Sequence, residues 1–337
     1  VRTLARFPHP APATLRSRIL PLFLPFAGCP QRCIFCDQHS QTGQAPDGPD
    51  TALARLRALL SQPGPPAELA FYGGTFTSLP GTSAERLLDA AAPHKASGRL
   101  SAIRCSTRPD ALAPSSLADL KQRGLDTVEL GVQSFDDNAL AASRRGYSGA
   151  AARAACDLVR SSGLSLGIQL MPGLPGHTPA AFRDDIATTC DLAPSFVRLY
   201  PCLVIDRTPL AELWRAGAFI PWPLDATVDA LARALLELWA AGIPSARIGL
   251  AEQDGLAILA GPRHPALGQI ARSRALLLHV RQILAKLSPA PTALLCPRRW
   301  QGEVLGQANA LAADYAALGL DVAFGDVAEF TLGRGEE

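Results

Sequence analysis

The chain is short of charge, and shorter still of lysine. Charged residues make up 18% of its 337 positions and the net charge is +2; Lys95, Lys121 and Lys286 are the only lysines among 32 cationic residues. That balance leaves no basic footprint, so a nucleic acid would have to be gripped locally rather than by a charged face. The scarcity of lysine points to a GC-rich genome more than to a function. With 48% hydrophobic residues the chain is not a disordered tail either. No apolar run approaches the ~18 residues that a membrane-spanning helix requires. The length suits one large domain with an appendage, at ~150 residues per domain.

Cysteine is present but not dense enough for a disulfide scaffold. Of eight cysteines, Cys105, Cys156, Cys190, Cys202 and Cys296 are scattered singly and read as buried, hydrophobe-like residues. Cys29, Cys33 and Cys36 fall within eight residues and need their own explanation. One reading is a lipoprotein signal, with Arg6, Arg16 and Arg18 ahead of an apolar run that ends at Cys29. Pro21 and Pro25 inside about ten apolar residues speak against it. The same residues read better as a strand feeding a loop, in a cytoplasmic protein.

From residue 19 to about 240, short apolar runs alternate with Ala/Leu-rich amphipathic stretches. The runs are Ile19–Phe26, Leu69–Tyr72, Ala102–Cys105, Thr127–Val132, Leu164–Leu170 and Val197–Tyr200. Helices are expected near 50–61, 83–92, 114–123, 149–161 and 180–190, with Asp50, Thr82, Ser115 and Ser148 as caps. Strand then helix every 30 to 40 residues or so signals parallel βαβ units, in a barrel or a doubly wound sheet. Polar or glycine-rich residues follow six successive runs, as they would at one mouth built from the carboxyl ends of barrel strands. The fold expected is α/β: a partial (β/α)6 TIM-like barrel over residues 1–245. A small C-terminal α/β extension, residues 246–337, completes it. In the extension, helices are expected at 269–286 and 303–317 and strands at 292–296 and near 320–324. The tail 333–337 is expected to be loose.

Cys29-x3-Cys33-x2-Cys36 sits just after the first expected strand. Thiolates so spaced can bend a loop round a soft metal centre. Zinc would need a fourth ligand, which His39 could supply in a closed Cys3His site, although structural zinc ligands usually come as two separated pairs. An iron–sulfur cube held by three thiolates would keep one iron open for chemistry. The spacing alone leaves both readings open: a non-catalytic metal-binding module, or a catalytic centre.

This signature, with Phe35 just before the third cysteine, resembles that of the radical S-adenosylmethionine superfamily. The resemblance implies a [4Fe–4S] cluster on Cys29, Cys33 and Cys36, whose open iron takes the amino acid end of S-adenosylmethionine. It also implies reductive cleavage to a 5′-deoxyadenosyl radical, fed by a reductant such as flavodoxin or ferredoxin. Phe71-Tyr72-Gly73-Gly74-Thr75 resembles the family's glycine pair, which receives the methionine amino group, and the resemblance as a whole implies that Gly73, Gly74, Thr75, Ser106, Gln133, Arg145, Gln169 and Phe35 surround the cofactor. Val128-Glu129-Leu130-Gly131-Val132-Gln133-Ser134-Phe135 resembles a segment shared by oxygen-independent coproporphyrinogen oxidases and the Elongator catalytic subunit. By the same resemblance Gln133 meets the ribose and Arg145 the carboxylate, while Gln169 and Ser106 stand where the porphyrin enzymes carry aspartate and glutamate. Together with Arg198-Leu199-Tyr200-Pro201-Cys202-Leu203-Val204, these departures favour the short bacterial Elongator-like branch. The residues after 245 are too few for the Elongator subunit's acetyltransferase domain. The substrate expected is tRNA or a small molecule.

Secondary expectations attach to four further places. Arg263 and His264, in Gly261-Pro262-Arg263-His264-Pro265, could line the mouth, and His177 could face the site. Cys202 could act as a radical relay or a second ligand. Gly302-Glu303-Val304-Leu305-Gly306, beside Arg298 and Arg299, resembles a nucleotide-clamping GXXG loop.

Overall fold

A computed structural model describes residues 2–13, 17–43, 48–250 and 256–334. Strand β1 (Arg2–Phe7) stands apart from the barrel that follows it. Six parallel strands then succeed one another as neighbours in chain order. They are β2 (Ile19–Phe23), β3 (Ala67–Tyr72), β4 (Leu100–Thr107), β5 (Thr127–Gln133), β6 (Ser165–Leu170) and β7 (Phe196–Leu199). After the two-residue β8 (Val204–Ile205), strand β9 (Ser245–Ile248) adds a seventh, parallel to β7. The result is a curled, open parallel sheet of a partial barrel. Parallel strands covered on both faces are apolar nearly throughout; β3 has five successive buried residues.

The expected helices are present at Pro49–Ser61, Ser83–Ala96, Pro114–Gln122, Gly149–Ser161 and Pro179–Leu192. Their starts correct most of the expected caps. Only Ser148 caps as read, its hydroxyl accepting from Ala151 N–H. Asp50 and Ser115 lie inside their helices, each of which opens with proline, and Thr82 makes no capping bond with its side chain. Proline in the first turn forgoes only an N–H that has no helical partner there, so no polar cap is needed.

A second, smaller sheet holds β11 (Ala293–Pro297), β12 (Asp321–Gly325) and β13 (Phe330–Arg334), while β10 (Ile258–Ala260) pairs antiparallel with β8. Its order is β1-β13-β11-β12, so the first strand of the chain forms one edge of the last sheet. The boundary expected at 245 therefore falls at the start of a barrel strand, and the N-terminal lead-in pairs with the extension. The helix expected over 303–317 is broken into Gln301–Leu305 and Ala312–Ala317 by Gly306, at φ +73°. Residues 251–255 and 335–337, which include part of the expected tail, lie outside the described residues.

The helix Leu267–Leu284 joins the two units. Leu267, Ala271 and Ala275 belong to the barrel core; Leu276, Leu277 and Val280 belong to the core of the second sheet. His9 bridges the same seam, stacked on Trp300 at 4.1 Å and bonded at 3.0 Å to Glu303, which also pairs with Arg272 at 3.2 Å. Glu303 and the buried Val304 thus hold the GXXG-like segment in the core, and no loop is free there to clamp a nucleotide. Among the described residues no helix is long and apolar enough to cross a membrane.

Because Leu276 is wholly buried at this seam, Leu276→Ala should cost about 2–5 kcal/mol in urea unfolding. Leu213→Ala, at an exposed leucine, should change it by no more than about 0.5 kcal/mol.

Candidate functional site

Strand β2 delivers the chain to the three-cysteine loop, and β3 delivers the Gly73-Gly74 turn beside it. The two are clamped by backbone. Thr75 N–H donates to Ala27 O at 2.7 Å. Gln38 Oε1 accepts from both Phe26 N–H and Gly74 N–H, the latter at 3.0 Å. A Cβ on Gly74 would stand 2.2 Å from Ala27 O, and one on Gly28 would stand 2.4 Å from Thr75 O; both residues have positive φ. Gly74 and Gly28 are therefore required first by the packing of loop on turn, quite apart from any ligand.

These elements open on a cavity of about 570 Å³ at the carboxyl ends of the strands. Cys29, Cys33, Cys36, Phe35, Gly73, Gly74, Ser106, Gln133, Arg145 and Gln169 all line it. Expected on sequence grounds, they are brought to one wall by the shared direction of the strands. Thr75 differs: it is wholly buried behind the turn, its hydroxyl 3.3 Å from Cys29 Sγ, and it is off the cavity surface. It supports a thiol rather than facing a ligand.

Gln133 ends β5 at φ +70°, where the pairing with β6 shifts register, and its Oε1 accepts from Gln169 Nε2 at 3.1 Å. A left-handed angle at a non-glycine residue costs energy and recurs at ligand clamps. Arg145 is buried, donating to Tyr147 OH at 2.9 Å, Gly131 O at 2.6 Å and Cys33 Sγ at 2.8 Å. One N–H remains on each of its terminal nitrogens. Arg108, which sequence reasoning gave no role, reaches Cys33 Sγ at 3.8 Å while paired with Asp110. Burial pushes the Cys36 thiol up to about 12 and raises that of Cys29. Neither is ionised at neutral pH, so metal capture must displace their protons.

Among the described residues, no three His, Cys, Asp or Glu side chains converge as ligands of one ion would. His39 packs its ring on Phe26, centroids 4.9 Å apart. Three other expected groups lie off the cavity. His177 is buried against Asp185 at 3.1 Å and stacked near Trp222, off the cavity surface. Cys202 is off the cavity surface but stays beside the cysteine loop, in one apolar cluster with Cys33, Ile34, Phe35 and Cys36, and burial alone lifts its thiol to about 12. His264 accepts from Ala266 N–H at 3.0 Å, a local turn contact, and neither it nor Arg263 is on the cavity surface.

Sequence reasoning missed a polar group on the cavity surface, formed by Tyr72, Glu129, Arg198 and Tyr200. Arg198 donates to both tyrosine hydroxyls and lies 3.3 Å from Glu129. Burial raises the Glu129 carboxyl above its usual range. A charged residue inside an otherwise apolar strand was the available signal.

Family models decide the kinship. The Radical SAM superfamily model matches residues 23–188, and the Radical_SAM C-terminal domain model matches residues 194–276. The chain belongs to the radical S-adenosylmethionine superfamily. It is similar to the tRNA uridine(34) acetyltransferase of Methanocaldococcus jannaschii, 28% identical over 63% of this chain and 47% of the relative. It is also similar to that of Methanocaldococcus infernus, 34% identical over 42% of this chain and 27% of the relative. The chain spans half or less of the length of these curated relatives. Among solved structures, archaeal Methanocaldococcus infernus Elp3 with an N-terminal deletion superposes with TM-score 0.56 at 24% identity. That match covers 76% of this chain and 62% of that one. HydG, a maturase of the [FeFe]-hydrogenase, superposes with TM-score 0.54 at 13% identity, over 77% and 55%. Both show the partial-barrel fold.

The close approach at Gly74 yields a paired test. Gly81→Ala, with φ +59° and nothing within 4 Å, should cost about 1–2 kcal/mol for its left-handed angle. Gly74→Ala should cost more and also lower the iron bound per chain after anaerobic reconstitution, as measured by metal analysis.

Proposed function

We propose that Cys29, Cys33 and Cys36 hold the [4Fe–4S] cluster of this radical S-adenosylmethionine enzyme. Gly73, Gly74, Ser106, Gln133, Arg145, Gln169 and Phe35 surround the S-adenosylmethionine. The observation that carries this reading is the placement of three soft thiol donors on one wall of the cavity, with the guanidiniums of Arg108 and Arg145 on Cys33. A cube takes each thiolate on a different iron, and Cys29, Cys33 and Cys36 all line the cavity. Zinc on the same cysteines would need a fourth donor, and His39 is turned to Phe26 instead.

When bound, the cluster and S-adenosylmethionine supply one-electron cleavage of the sulfonium and a 5′-deoxyadenosyl radical. The residues of this chain bind and orient. The two N–H groups left on Arg145 can receive a carboxylate, a charge-assisted contact. The turn at Gly73, free of Cβ atoms, exposes backbone for an ammonium. The Gln133–Gln169 pair presents amide groups suited to ribose hydroxyls. Buried Phe35 and Ile34 keep water from the loop.

Of the two substrate classes, tRNA and a small molecule, the kinship with tRNA uridine(34) acetyltransferases favours tRNA. The barrel of β2 to β7 and β9 acts as the catalytic unit; β1 belongs to the sheet of the extension, and the helix Leu267–Leu284 packs on both. A reductant such as flavodoxin or ferredoxin completes the reaction, in the cytoplasm.

Anaerobically reconstituted protein should contain ~4 Fe and ~4 S per chain and should form 5′-deoxyadenosine and methionine under strong reductant, read by chromatography. Ala at Cys29, Cys33 or Cys36 should bring cleavage below detection. Cleavage retained in those variants, or colourless protein with stoichiometric zinc, would overturn the assignment.

A further inference from the structure

Two carboxylate–arginine pairs lie inside the barrel, and they differ in how completely they are satisfied. Arg104 on β4 grips Glu68 on β3 with two nitrogens, one to each carboxylate oxygen, and Ser17 Oγ donates to Glu68 at 3.2 Å. Neither Glu68 nor Arg104 reaches the cavity. That pair is saturated and closes the barrel. The Glu129–Arg198 pair lines the cavity and is left incomplete. Glu129, 2% exposed, stands 3.3 Å from Arg198 Nε, yet both its Oε2 and that Nε lack a hydrogen bond of regular geometry. Tyr72 and Tyr200 each accept from Arg198 through their hydroxyls. Among the described residues neither phenol proton has an acceptor.

An incompletely bonded buried carboxylate is costly, and such groups call for a partner. We propose that Glu129, Arg198, Tyr72 and Tyr200 form the substrate subsite of this enzyme, taking a neutral group with an amide-like edge. Glu129 accepts the N–H, and a tyrosine hydroxyl donates to the C=O. A carboxylate or phosphate would face Glu129, and a cation would face Arg198; a donor beside an acceptor satisfies both. On β5, Glu129, Gly131 and Gln133 all face the cavity, with Glu129 about 13 Å from Gln133 along the strand at ~3.3 Å per residue and level with Ser106 on β4. Gly131 has no side chain to divide the two. The inference rests on the proposed function, in which Gln133, Gln169 and Ser106 receive S-adenosylmethionine, and it places the second reactant directly against them, since Ser106 is the register partner of Glu129 and Gln169 that of Arg198.

The test uses three isosteric probes on the full, anaerobically reconstituted chain: benzamide, benzoate and benzamidinium, with affinity read by ligand-observed NMR. The wild type should bind benzamide at least tenfold more tightly than either ion. Glu129→Gln leaves Arg198 unopposed, so benzoate should overtake benzamide. Tyr200→Phe, which keeps Glu129 and Arg198 and removes only one acceptor of Arg198, should weaken benzamide about threefold to tenfold and keep the order of the ions. It also keeps the proposal testable if Glu129→Gln fails to fold. Benzoate bound best by the wild type, or affinities unmoved by both variants, would overturn the subsite. Binding is read without turnover, so a failure to cleave S-adenosylmethionine and a failure of this subsite give separate results.

Discussion

Two stretches of backbone meet at the rim of the barrel with no room for a methyl group between them. The loop through Ala27 and Gly28 lies against the turn through Gly74 and Thr75, tied by the Thr75–Ala27 bond and by both backbone bonds to Gln38. Everything else at the site depends on that approach. It fixes the height of Cys29 through its contact with Thr75, and it sets the cysteine loop across the mouth where Arg145 can reach Cys33. The two strands that feed it are parallel neighbours, so their carboxyl ends arrive at one level. The fold supplies direction, and the glycines allow contact.

What the sequence disclosed follows from what is local. Six barrel strands and five helices were legible because each carries its own period, and the helix at 149–161 was read to the residue because Ser148 caps it. Strand β9 was not legible: Ser245-Ala246-Arg247-Ile248 has no buried residue and no apolar run. It is a strand only because β7 lies beside it. Strand β1 was missed for a related reason, since its partner is β13 at the other end of the chain. Local pattern carries no information about so distant a pairing.

The same distinction runs through the site. The cysteines, the glycine pair and Gln133 were legible because each motif is contiguous. Thr75 was misplaced because a motif shows which residues are adjacent, not which way each side chain points after a left-handed turn. Glu129 and Arg198 stood in segments that were read, but their relation crosses the barrel from β5 to β7. Only the curl of the sheet puts them together.

Net charge was the feature that promised least, and the structure shows why it was a poor guide. Arg108 and Arg145 lie close together, Arg108 bonding to Arg145 O, and both approach Cys33 Sγ. Two buried cations at one sulfur repel one another unless an anion sits with them. The thiol end of the cavity is therefore a local field of positive charge, while the polar group at Glu129 and Arg198 pairs carboxylate with guanidinium. A chain of net charge +2 holds both. The sum over the sequence cancels a pattern that acts over a few ångströms, where Coulomb interaction is strongest and least screened. In this protein the charges are few, and two of the buried ones, Arg108 and Arg145, meet at one cysteine sulfur.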